Sequence, residues 1–330
     1  MLSSDSGAPC QLPLQSPQSS NENNRGIIGN GSNNFVNSGN IINSDIVIEI
    51  NDLEDELERL LSRHVSKDAL RNSFYSPPEC HPNTRTTVRN EIGEWIDESG
   101  SEKSPLLWLN GPAAVGKSVI AKTISGFHDQ IVSTFFFSTS SDKSAAMLFP
   151  TLAWQLAWRI PDTRKHIIAS LKSGGSPQTS QIEEQFNRLI IQPLKSTTTL
   201  RSRPVMVIDG VDECIDESML VRFLQVLVRA GKDGGMPVRF VICSRPEPRI
   251  HAILSADTLD RIHTYTVVST IRLGFSEECK EDIARYLTDK FNAIRQPGEG
   301  TSPWFQPSDI SDLVEASCGQ FLYASTIVRL

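Results

Sequence analysis

Two spacings of apolar residues take turns along the chain, and their order predicts its architecture. Leu53, Leu57, Leu60 and Leu61 share one helical face, with Glu54, Asp55, Glu56 and Glu58 between them. Pro77 and Pro78 break the chain, and Val88, Ile92, Trp95 and Ile96 then mark a helical stripe over residues 84–98. Beyond this point short apolar runs alternate with helical ladders. The runs at 106–109, 132–137, 205–208, 238–243 and 265–268 read as strands. The third is apolar throughout, as burial on both faces requires. Helices are predicted over 119–124, along Leu148, Leu152, Leu156 and Ile160, and over 220–228. Ser180 and Glu183 form a capping-box pattern ahead of the stripe Ile182, Phe186 and Leu189. Ile283, Leu287, Phe291 and Ile294 make a further stripe, and two more helices are expected from residue 307 onward. Such alternation predicts an α/β fold of three layers, α/β/α, around a parallel five-stranded sheet, followed by part of a helical subdomain. Ligands of such sheets bind at the carboxyl ends of the strands. No repeat with a period of 20 to 50 residues is present.

The first part of the chain follows neither spacing. Residues 1–24 are rich in Ser, Gln, Pro and Asn, and residues 1–45 as a whole are expected to be disordered. From Asn21 to Asn43 there are nine asparagines, with glycines at Gly26, Gly29, Gly31 and Gly39. Small apolar islands, Ile27-Ile28, Phe35-Val36 and Ile41-Ile42, interrupt them. The composition fits a flexible linker, and it equally fits a segment able to stack as cross-β once several copies are gathered.

Hydrophobic residues are 38% and charged residues 22% of the 330, enough for a sizeable core. A net charge of −7 argues against nucleic-acid or anionic-membrane binding driven by net charge. No apolar run reaches the length of a membrane span, and the first residues lack the basic and apolar regions of a secretory signal. Cys10, Cys80, Cys214, Cys243, Cys279 and Cys318 are scattered, which speaks against a disulfide scaffold or a four-cysteine zinc site and for a reducing cytoplasm.

The chemistry concentrates in three places. Gly111-Pro112-Ala113-Ala114-Val115-Gly116-Lys117-Ser118 matches GxxxxGK[ST] and lies between a predicted strand and a helix that includes Val119. Such a loop turns successive backbone N–H groups onto phosphates, and the helix N-terminus adds its partial positive charge. Lys117 then serves the β- and γ-phosphates, and the Ser118 hydroxyl serves Mg²⁺. Val205-Met206-Val207-Ile208-Asp209 is an apolar strand ending in an acid, with Asp212 and Glu213 just beyond. Asp209 is the candidate Mg²⁺ holder, and Asp212 or Glu213 the candidate to orient an attacking water. Val241-Ile242-Cys243 leads to Ser244 and Arg245, either of which could sense a γ-phosphate. A strand of this kind commonly sits between the other two. Trp154 and Trp158 read as core rather than as a stacking platform.

Together these stretches resemble the NACHT NTPase domains of fungal STAND proteins, relatives of the AAA+ and NLR ATPases. The resemblance extends to Cys80-His81-Pro82-Asn83-Thr84-Arg85, Glu91-Ile92-Gly93-Glu94-Trp95-Ile96 and Leu148-Phe149-Pro150-Thr151-Leu152-Ala153. It continues through Gln185-Phe186, Leu189-Ile190-Ile191-Gln192-Pro193-Leu194 and Gly319-Gln320-Phe321-Leu322-Tyr323-Ala324. Ala114 stands where the commonest family form has a third glycine. The resemblance implies a NACHT core over 79–270, preceded by a helical linker at 46–78 and followed by the start of a helical subdomain at 271–330. In the family, winged-helix and repeat regions follow, whereas this sequence runs to Leu330. It also implies an ATP-driven, Mg²⁺-dependent switch, ADP-bound and monomeric at rest, ATP-bound and homo-oligomeric when active. His81 and Arg85 would line the adenine side. A downstream effector would be reached through the N-terminal segment, in the cytoplasm, with no nucleic-acid or membrane partner. The competing expectations are a nucleotide-stabilised scaffold with negligible hydrolysis, GTP in place of ATP, and a P-loop metabolic kinase.

Overall fold

Along the central strands, neighbouring side chains go to opposite faces of one sheet. In β5 (Val205–Asp209), Met206 and Ile208 join one core while Val205 and Val207 join the other. A computed structural model of the chain describes residues 34–37, 40–74, 76–98, 104–138, 145–173, 181–255, 266–294 and 304–330. It divides into two units, Met1–Glu49 and Ile50–Leu330.

In the first unit, β1 (Asn34–Asn37) and β2 (Asn40–Asn43) pair antiparallel, Phe35 opposite Ile42 and Val36 opposite Ile41. Aromatic and β-branched residues stand in register on both arms, separated by only Ser38 and Gly39. The islands before residue 34 lie outside the described residues, as does Ser180 of the predicted capping box.

Helix α1 (Ser44–Leu61) leads into the second unit, followed by α2 (Thr86–Asp97), β3 (Leu106–Asn110), α3 (Lys117–Phe127) and β4 (Ile131–Phe136). Next come α4 (Leu148–Arg159), α5 (Arg164–Ser173), α6 (Ile182–Phe186) and α7 (Gln192–Lys195). A π-helical turn at Asn187–Ile191 joins the last two, and the wider turn spares the clash that Pro193 would make in a regular helix. After β5 follow α8 (Glu217–Lys232), β6 (Arg239–Ser244), α9 (Pro248–Leu254), β7 (Val268–Arg272), α10 (Glu277–Ile294), α11 (Pro307–Ser317) and α12 (Phe321–Ile327).

The five strands pair in the order β4-β5-β6-β3-β7, all parallel, and β6 lies between the strands that lead to the two motifs, as expected. The fifth strand lies further along than its apolar run suggests. Edge strand β7 faces water on part of its surface, so Ser269 and Thr270 break the run while the register with β3 continues to Arg272. One face of the sheet is covered by α2 and α3, through Ile92, Trp95, Ile120 and Ile124. The other carries the large core built from α4 to α9, which also takes Leu57, Leu61, Val65 and Ala69. The segment read as a helical linker thus brings apolar side chains into the core. Glu54 pairs with Arg164, Glu56 with Lys172, and Glu58 accepts from Trp154 Nε1. Trp158, expected in the core, is half-exposed and stacks with the Arg164 guanidinium instead. Helices α10, α11 and α12 close around a third, separate core of Cys279, Ile283, Leu287, Phe291, Ile310 and Val314.

The edge strand β4 is sealed by a side chain. The Gln155 carboxamide accepts from Thr134 N at 3.0 Å and donates to Thr134 O at 2.8 Å, imitating a neighbouring strand. Gln155→Ala would leave both buried backbone groups unpaired. We expect a stability loss of about 1–3 kcal/mol for each group not rescued by water, read from urea unfolding.

Candidate functional site

Strand β3 delivers the loop 111–116 to the carboxyl edge of the sheet, and α3 begins at Lys117. Gly116 has φ of 95°, a backbone conformation for which glycine carries no Cβ penalty. Gly111 is needed for a different reason. A Cβ there would lie 2.7 Å from the Leu273 carbonyl oxygen, because the loop leaves the sheet pressed against the end of β7. Gly111→Ala should therefore push the loop off β7 and cost about 1–3 kcal/mol in urea unfolding. Ala114 occupies the left-handed region at φ 66°, which explains why a glycine suits this position. Lys117 Nζ donates to the carbonyls of Gly111, at 2.8 Å, and Pro112, at 2.7 Å. Burial lowers its pKa, while Asp212 and Asp209 oppose the fall.

Asp209 ends β5 and is 3% exposed. Its Oδ1 is buried with no hydrogen-bond partner. Burial pushes its carboxyl up to about 7, against the pull of the Ser118 hydroxyl, which bonds to it. An orphaned buried carboxylate oxygen beside a hydroxyl is a donor set that fits a hard divalent cation. Among the described residues no group of three or more His, Cys, Asp or Glu side chains could hold a metal. Mg²⁺ at Ser118 and Asp209 would therefore need phosphate and water oxygens to complete its shell, which is its usual habit.

The two acids beyond Asp209 part company. Gly210, at φ 69°, turns the chain into the single helical turn Val211–Glu213. Asp212 accepts from the Arg245 backbone N–H at 2.9 Å, and its other oxygen lies 3.2 Å from Arg245 Nε. It is committed to the loop after β6. Glu213 lines the cleft, as does Arg245. Ser244, an alternative sensor from sequence, is fully buried and accepts from Trp108 Nε1 at 2.9 Å, so it has no access to the cleft.

These groups converge on one cleft of about 620 Å³. Ala113 to Val119, Asp209, Asp212, Glu213, Arg245, His81 and Arg85 line it, whereas Gly111 and Pro112 do not and serve through their carbonyls. His81 lies edge-on to Tyr286, with Nε2 2.9 Å from Asp289 Oδ2. Arg85 is buried, and its guanidinium turns toward the phosphate loop, donating to the Val115 carbonyl at 2.9 Å. Sequence reasoning missed the far wall: Tyr286 and Lys290 on α10, and Phe321, Leu322, Ser325, Val328 and Arg329 on and after α12. The 319–324 stretch was the one available signal, and nothing local tells a helix packing on its own core from one that also roofs a cleft.

The strand order, the loop leaving β3 and the acid ending β5 make this a P-loop NTPase fold. A family model, Nephrocystin 3, N-terminal, matches residues 85–245, just under half of the chain, from Arg85 to Arg245. No curated protein matches. Among solved structures, the Walker-type ATPase paby2304 of Pyrococcus abyssi is 13% identical, with a TM-score of 0.47, covering 75% of this chain and 68% of that one. Cdc6p from Pyrobaculum aerophilum is 14% identical with a TM-score of 0.43, over 79% and 64% of the two chains. AMPPCP-bound DnaA from Aquifex aeolicus is 9% identical with a TM-score of 0.41, over 80% and 65%. Likeness at this level adds nothing to the strand order itself. Among the described residues no helix is long and apolar enough to cross a membrane.

Proposed function

We propose that the chain binds ATP with Mg²⁺ in this cleft and hydrolyses it slowly, as the switch of a NACHT-type signalling protein. The observation that carries the reading is the buried, unpaired Asp209 Oδ1 beside Ser118, at the foot of a loop built to surround phosphates. Lys117 exchanges its two carbonyl partners for β- and γ-phosphate oxygens. Ser118 and Asp209 hold Mg²⁺, which when bound neutralises charge on those oxygens. Glu213 orients the attacking water, and Asp212 holds Arg245 toward the γ-phosphate. Tyr286, Phe321 and Val328 offer a base an aromatic and apolar wall. The choice of ATP over GTP rests on the resemblance to NACHT domains. So do the ADP-bound resting state, homo-oligomerisation on ATP binding, the cytoplasmic setting and the route through the N-terminal hairpin to an effector.

One observation favours the slower extreme, a nucleotide-stabilised scaffold: Asp212 is already engaged by Arg245. Calorimetry with ATP and GTP, each with and without Mg²⁺, followed by multiple-turnover phosphate release, separates these readings. The expected result is Mg²⁺-dependent ATP binding with slow release of phosphate. Glu213→Gln should keep ATP bound and slow release by about a hundredfold or more. Absence of binding to either nucleotide would overturn the proposal, and wild-type turnover in Glu213→Gln would move the water-orienting role elsewhere.

A further inference from the structure

One face of α10 grips the loop ahead of α2 at every second residue. Asp289 meets His81 Nε2, Arg285 donates to the Asn83 carbonyl, and Asp282 Oδ2 accepts the Arg85 backbone N–H at 2.9 Å. Residues 282, 285 and 289 lie one turn apart on that helix, so their side chains share a face. Two of the gripped residues, Asn83 at φ 58° and Arg85 at φ 55°, are held in the left-handed region without being glycine. Beyond the loop, the Arg85 guanidinium spans three elements. It donates to Val115 O in the phosphate loop at 2.9 Å and to Cys279 Sγ on α10 at 3.4 Å, and lies 4.7 Å from the centre of the Phe321 ring on α12. From α12, Leu322 N donates to the Ala114 carbonyl at 3.3 Å. Consecutive carbonyls of the phosphate loop are thus held by the helical subdomain and its pin. That subdomain also packs on a core of its own.

We infer that Arg85 is a positioning residue that couples occupancy of the phosphate loop to the seating of α10 and α12, through the clamp formed by Asp282, Arg285 and Asp289. The inference rests on the proposed nucleotide binding. A phosphate that reorganises Ala114 and Val115 changes what Arg85 and Leu322 can hold. The strained loop 81–85 keeps its conformation only while α10 is seated. Binding then tightens the helical subdomain, and by reciprocity a seated subdomain tightens binding.

The test is amide hydrogen exchange on the full chain, with and without Mg·ATP, alongside calorimetry. In the wild type, nucleotide should slow exchange in the phosphate loop and also in α10 and α12. Arg85→Met should bind about tenfold more weakly, as typical couplings predict. At saturating nucleotide it should still protect the phosphate loop while protection in α10 and α12 no longer changes. The double variant Arg285→Ala/Asp289→Ala, at positions whose side chains are 45% and 53% exposed, carries the same readout if Arg85→Met does not fold. A merely structural role would lower exchange protection in the variants equally with and without nucleotide. Protection of α10 and α12 by nucleotide that survives in the variants, or that is missing in a wild type that does bind, overturns the inference. A wild type that binds no nucleotide overturns the proposed function instead.

Discussion

Lys117→Ala should lower affinity for Mg·ATP by about 10²- to 10⁴-fold, the largest loss expected from any one substitution in the cleft. The ammonium makes two hydrogen bonds at 2.7–2.8 Å to loop carbonyls, in a position where β- and γ-phosphate oxygens would replace them. Charge-assisted bonds of this kind are worth about 1.5–3 kcal/mol each. Burial already lowers the lysine's pKa, so the cation is held at some cost that a phosphate would offset. The fold should survive, since the side chain leaves the core packing untouched. Calorimetry reads the affinity, and circular dichroism confirms the fold. Undiminished binding would remove Lys117 from the phosphate site.

Asp209→Asn should have opposite effects on stability and on binding. The native carboxyl titrates at about 7, raised from 3.8 chiefly by burial. Between those two values the folded chain retains a proton that the unfolded chain has released. More protons are bound in the native state, so stability falls as pH rises, by about 1.4 kcal/mol per unit, and levels off above the native pKa. Asparagine has nothing to ionise and escapes this fall. Without metal, the variant should match the wild type near pH 4 and exceed it by up to about 4 kcal/mol near pH 8. With Mg·ATP the order reverses, because the wild type alone offers Mg²⁺ a carboxylate. Thermal unfolding across pH, with a chelator and then with Mg·ATP, reads both halves. Parallel pH profiles for the two proteins would mean that the Asp209 carboxyl is not desolvated by burial as described.

Much of this was written in local sequence. The phosphate loop was legible because glycine spacing and the GKS triplet meet a steric and chemical demand within eight residues. The strands around it were legible because burial on both faces leaves continuous apolar runs, as in Val205 to Ile208. Strand β7 shows where that signal fades, since an edge strand admits Ser269 and Thr270 without loss. The two apolar islands that β1 and β2 bring opposite one another were visible among the asparagines.

Sequence by itself determined the class of the fold and the position of the phosphate loop, because periodicity and loop sterics are short-range properties. Tertiary structure alone decided what each polar group does. Asp212 and Glu213 are adjacent, chemically alike and both line the cleft, yet it is Asp212 that Arg245, thirty-odd residues away, holds. Arg85 carries the same charge whether it faces a base or the Val115 carbonyl, and only the packing of α10 and α12 directs it to the second. Asp209 acquires its raised pKa chiefly from desolvation on burial in the folded chain. Partners this far apart in sequence leave no trace in local spacing, because burial and hydrogen bonding are fixed only once the layers have packed.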